Sequence, residues 1–83
     1  MIGESRAPDE TLDARGLLCP LPLVLAAKRL RSAAGGFVLE VFADDPAAPG
    51  DFREFCSGGG AELLGVVTVP GARTVFSITI RKT

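Results

Sequence analysis

Few residues in this chain can do covalent chemistry. Two cysteines, Cys19 and Cys56, are present, and there is no histidine among 83 residues. The missing imidazole removes Cys-His and Ser-His nucleophile pairs and any Cys/His zinc site. The cysteines are too few for a disulfide framework and too far apart for a Cys-x-x-Cys redox motif. What remains is the chemistry of a single sulfur, nucleophilic as its thiolate.

Cys19 holds the more suggestive position. Pro20-Leu21-Pro22 follows it, and a helical period follows those. The pattern places Pro20 at the first helical position, Pro22 at the third and Cys19 at or beside the N-cap, where the prolines forfeit N–H groups that lack helical partners anyway. A thiol there faces the positive end of the helix dipole and is within reach of the N–H of Leu21 or Leu23, and both effects lower its pKa. Arg15, just upstream, is a candidate source of further positive charge. The expectation is an exposed, moderately activated thiolate whose projection is fixed by Pro20 and Pro22. Cys56 shares a helix face with Phe52 and Phe55 and reads as core packing.

The elements that must position Cys19 follow from periodicity. Residues 1–9 read as a flexible tail and 10–83 as a single domain. A short strand is expected near Glu10–Ala14. Leu23, Ala27, Leu30 and Ala34 recur on one face of a first helix, which Gly35-Gly36 ends. Phe37–Ala43 is a mostly buried strand. Asp44-Asp45-Pro46 opens a second helix, with Asp45 as its N-cap, and Ser57-Gly58-Gly59-Gly60 closes it. Glu62–Val69 and Thr74–Arg81 are strands joined by Pro70-Gly71. The order β-α-β-α-β-β predicts an α/β two-layer sandwich: a four-stranded mixed sheet with two helices on one face. If the first two strands are parallel, Cys19 and the Asp44-Asp45 pair leave the sheet at the same edge. Asp44 or Asp45 is then expected within reach of Cys19 or of a docked partner.

Composition bounds the rest. Hydrophobic residues make up 47% and charged residues 23%, with nine basic and ten acidic side chains and a net charge of −1. This is ordinary globular material, without the basic excess of a nucleic-acid or membrane binder. The N-terminus lacks the apolar core of a signal peptide, so a cytoplasmic protein is expected. Lys28, Arg29 and Arg31 suit the C-terminal end of the first helix and also offer a small docking surface for an acidic partner. Gly58-Gly59-Gly60 ends a helix instead of opening one, so no phosphate loop is present. No metal, nucleotide or organic cofactor is indicated.

The stretch Leu12-Asp13-x-Arg15-Gly16-x-x-Cys19-Pro20-x-Pro22, with Asp45-Pro46 and the Phe55-Cys56 helix, resembles the TusA/SirA-like sulfur-carrier family from about Thr11 to Lys82. The resemblance implies the same sandwich fold and a persulfide borne on Cys19. It implies a donor protein, a cysteine desulfurase or rhodanese-type protein, and an acceptor in tRNA thiolation, molybdenum-cofactor maturation or sulfur oxidation. Many members carry a histidine just before the Glu-Leu pair of the third strand. This chain has Ala61 before Glu62-Leu63, which counts against the tRNA-thiolation branch. Two alternatives stay open: a redox-regulatory module that senses oxidation of Cys19, and a module that only docks beside a larger protein.

Overall fold

The computed structural model describes residues 7–83. The elements are β1 (Glu10–Asp13), α1 (Leu21–Arg31), β2 (Val38–Ala43), α2 (Ala48–Ser57), β3 (Ala61–Val69) and β4 (Val75–Lys82). They form one four-stranded sheet in the order β1-β2-β4-β3, with β1 parallel to β2 and the other two pairings antiparallel. The fold is the expected mixed sheet with both helices on one face. Most of the expected tail, residues 1–6, lies outside the described residues. Its last residue, Asp9, is docked: its N–H donates to the Val38 carbonyl and its carboxylate accepts from the Val38 N–H, both at 2.8 Å.

The two central strands carry the core. Leu39 pairs with Ile80 and Val41 with Ile78, and all four are fully buried on the helix side. Alternation in β2 and β4 places these side chains together, because successive residues of a strand point to opposite faces. Phe52 from α2 and Ala26 and Leu30 from α1 close over them. The buried stripe of α1 is Pro22, Ala26 and Leu30, with Leu23 packed beside it. This corrects the expected stripe by a fraction of a turn.

Two helix ends also differ from expectation. Helix α1 stops at Arg31, before Ala34, because its successors are claimed by β4. Lys82 donates its Nζ to the Ala33 carbonyl at 2.6 Å, and its own carbonyl accepts the Gly36 N–H at 2.8 Å. Helix α2 starts at Ala48 with Ala47 as N-cap, so Asp45 is not the cap. Asp45 Oδ1 instead accepts the Ala47 N–H at 2.9 Å, closing a turn ahead of the helix. The outer strand β3 carries a register shift between Leu63 and Gly65, the kind of irregularity that blunts a sheet edge.

Candidate functional site

Parallel pairing of β1 and β2 brings the segments that follow them to one edge of the sheet, and there the two segments are stitched together. Gly16 adopts a φ of 85°, a left-handed turn open to glycine without steric cost. Its N–H points at the Asp44 carboxylate, 3.0 and 3.2 Å from the two oxygens. Asp13 and Arg15 clasp each other within the turn. Arg15 Nε donates to Asp13 Oδ1 and Nη2 to Oδ2, each at 2.8 Å, and the Arg15 N–H adds a third bond. The guanidinium holds the Asp13 carboxyl at about 2, well below its usual 3.8.

Cys19 lies two residues ahead of α1. Pro20 is the N-cap of α1 and Pro22 its second residue, so both prolines stand one position earlier in the helix than the sequence suggests. The Cys19–Pro20 peptide is cis. Pro20 is exposed, whereas Pro22 is fully buried under α1 and acts as a core contact. The Cys19 backbone is fixed by Asp45, whose Oδ2 accepts the Cys19 N–H at 2.6 Å. One carboxylate thus ties the Cys19 turn to the start of α2, and these two bonds hold the Asp45 pKa down.

The sulfur is exposed, as expected, but its electrostatics are reversed. Its Sγ–H donates to Asp51 Oδ2 at 2.5 Å. This bond, reinforced by partial loss of hydration and by the negative charges of Asp51 and Asp45, pushes the thiol from 9.0 up to about 11. The expected activation fails for two physical reasons. The Leu21 N–H, a candidate donor to the sulfur, is spent on the Leu18 carbonyl at 2.8 Å. Arg15 is neutralised by Asp13 and is not among the groups that act on the thiol. Free Cys19 is therefore a thiol at neutral pH.

Asp51 is the neighbour of the sulfur that motif reasoning missed. The signal was topological: α2 begins at the same sheet edge as Cys19, and Asp51 precedes the core anchor Phe52 in its first turn. Cys56 is partly buried against the core, and burial pushes its thiol up. Arg29 is withdrawn from the expected basic cluster. It pairs with Glu10 at 2.8 Å and stacks 4.6 Å from the Phe37 ring centroid, bracing α1 against β1. A cleft of about 880 Å³ opens beside Arg15, Asp44 and Arg73, and Cys19 does not line it. Among the described residues no three His, Cys, Asp or Glu side chains are gathered to hold a metal ion.

The family model described as Sulfurtransferase TusA matches residues 10–82. The chain belongs to the TusA family. TusA proteins named as sulfur carriers in Pseudomonas entomophila and Allochromatium vinosum are similar to it. The first is 49% identical over 57 residues, covering 69% of this chain and 71% of the relative. The second is 46% identical over 56 residues, covering 68% and 74%. A crystal structure of a SirA-like protein from Desulfitobacterium hafniense superposes with a TM-score of 0.68 at 26% identity, covering 87% of this chain and 95% of that one. In this TusA-family chain Ala61 is buried at the start of β3 and packs into the core.

Proposed function

We propose that the protein is a sulfur carrier that holds a persulfide on Cys19 and relays the sulfur from a donor protein to an acceptor. The observation that carries this reading is an exposed thiol, anchored at the mouth of α1 by Asp45, in a chain of the TusA family. The surroundings of the sulfur suit a partner's surface better than a small substrate. Leu18, Leu21, Val24 and Leu25 are exposed on the same segment and on α1, with Leu18 74% accessible, and exposed apolar patches mark protein contacts. The cleft beside Arg15 does not reach the sulfur.

The transfer is an exchange akin to thiol–disulfide chemistry. Cys19 loses its thiol proton and Sγ attacks the outer sulfur of a donor persulfide, R–S–SH. The new Sγ–S bond forms as the donor S–S bond breaks. The donor leaves as R–S⁻ and takes up a proton, and Cys19 is left as –S–SH with no net oxidation or reduction. Cys19 is the reacting residue, Asp45 fixes its backbone, Pro20 caps its helix and Pro22 seats that helix on the core. Arg15 acts at one remove, by holding the turn through Asp13. The donor is a cysteine desulfurase or a rhodanese-type protein, and the acceptor serves tRNA thiolation, molybdenum-cofactor maturation or sulfur oxidation. The cytoplasm, which keeps thiols reduced, is the compartment that suits two free cysteines. A thiol held protonated oxidises slowly, which counts against a redox sensor.

Intact-mass measurement tests the proposal. After incubation with a cysteine desulfurase and cysteine, or with a rhodanese-type donor loaded from thiosulfate, the protein gains one sulfur, and Cys19→Ser abolishes the gain. A folded protein that gains no sulfur from either donor would sink it.

A further inference from the structure

Asp51 lies outside the Cys-Pro-x-Pro stretch and is recruited to the sulfur by the fold alone. We infer that Asp51 governs the reactivity of Cys19: its carboxylate holds the sulfur as a protonated thiol in the free carrier, and the nucleophile is released only when Sγ turns from Asp51 toward a docked donor. This inference rests on the reading of Cys19 as the sulfur-bearing residue.

Three observations carry it. The first is geometric. Asp51 Oδ2 stands 2.5 Å from Sγ, the shortest approach that any side chain makes to Cys19 among the described contacts. Asp51 is rigidly placed, since it sits in the first turn of α2 with its N–H bonded to the Ala47 carbonyl at 3.1 Å, next to the fully buried Phe52. The second is the balance of charge. The groups that act on the thiol are Asp51 from α2 and Asp45 from the loop that precedes it, both acidic, and the upstream cation Arg15 is occupied by Asp13. Both carboxylates therefore favour the thiol's proton. The third is freedom of movement. Cys19 is exposed and lies outside the helix, so rotation about its Cα–Cβ bond can carry Sγ away from α2 without disturbing the backbone, which Asp45 holds independently.

The consequence suits a carrier. Its sulfur must ignore the many small electrophiles and oxidants it meets between partners, and it must become nucleophilic when a donor persulfide is presented. Only the thiolate attacks a sulfur–sulfur bond. A contact that keeps the free sulfur protonated, and that a docked partner breaks by reorienting one side chain, confines the reaction to the complex.

Alkylation of the full-length protein by iodoacetamide reads the thiolate directly and needs no sulfur donor. The wild-type rate rises with pH toward a midpoint near 11. Asp51→Asn moves that midpoint back toward an ordinary thiol and speeds alkylation at pH 7 by up to about a hundredfold, since the thiolate fraction rises about tenfold for every pH unit by which the midpoint falls. Asp51→Glu, which keeps a carboxylate in reach, stays slow. The Asp51→Asn variant with an unchanged rate and midpoint, or Asp51→Glu as fast as Asp51→Asn, overturns the inference. Circular dichroism verifies that both variants fold. Failure of the carrier reading shows separately, as loss of the one-sulfur mass gain in the wild type.

Discussion

Four aspartates stand around the Cys19 turn, and each is used differently. Asp45 spends both oxygens on backbone N–H groups, Asp44 accepts from Gly16, Asp13 clasps Arg15, and Asp51 accepts the hydrogen bond of the thiol. The Asp13–Arg15 clasp makes a prediction with a definite sign. The Asp13 carboxyl titrates at about 2 in the folded chain against 3.8 ordinarily. A lowered folded pKa gives stability that is present above pH 3.8 and lost as pH falls toward 2. Asp13→Asn removes this dependence, so its melting temperature should fall less steeply than that of the wild type between pH 3.8 and 2. The gain is small, because both partners are exposed to solvent. A variant that tracks the wild type through this window would show that the pair contributes nothing. Cys19 itself was legible in the sequence, because two prolines and an apolar period mark a helix start wherever they occur. The direction of its pKa was not. It is set by Asp51, 32 positions away, and a linear motif carries no trace of such a contact.

Among the elements, α2 does the most positioning. It supplies Asp51 to the sulfur, and Phe52, one residue on, is fully buried against Ile78, Ile80 and the rest of the core cluster. Truncating Phe52 leaves a cavity under the helix that bears Asp51. Phe52→Ala should cost about 3–5 kcal/mol in urea unfolding. The loosened helix should also raise the Cys19 alkylation rate at pH 7 toward that of Asp51→Asn. A loss below about 1 kcal/mol, the effect of an ordinary surface change, would show that Phe52 is not the anchor. The strands were legible because period-two alternation in Val75–Lys82 and the apolar run in β2 are strong signals. The helix ends were not. Long-range partners decide them: Lys82 claims the residues after α1, and Asp45 divides its carboxylate between the start of α2 and Cys19. A capping signature predicts the local half of such an arrangement and is blind to the other half.

At the scale of the whole molecule, one edge of the sandwich carries both the sulfur and an apolar surface. The sheet buries its helix-side face, and α1 buries Pro22, Ala26 and Leu30, yet Leu21, Val24 and Leu25 remain exposed on the same helix beside Leu18 and Cys19. An 83-residue chain with a net charge of −1 leaves such a patch bare only at a cost in solubility. The proposed relay gives it a use, since the persulfide-bearing donor must approach Cys19 across this surface. Val24 is 52% accessible and contributes little to the core, so a charge there should leave the fold intact. Val24→Asp should therefore keep the wild-type melting temperature within a few degrees and the wild-type rate of alkylation by iodoacetamide. It should slow sulfur loading from a protein donor roughly tenfold, mainly through KM, as expected when a charge is buried at about 1–2 kcal/mol of net cost in an interface. Loading from inorganic polysulfide, which needs no docking, should be unchanged. Equal slowing with both donors would place the defect at the sulfur itself, and no slowing with either would remove this face from the path of the donor.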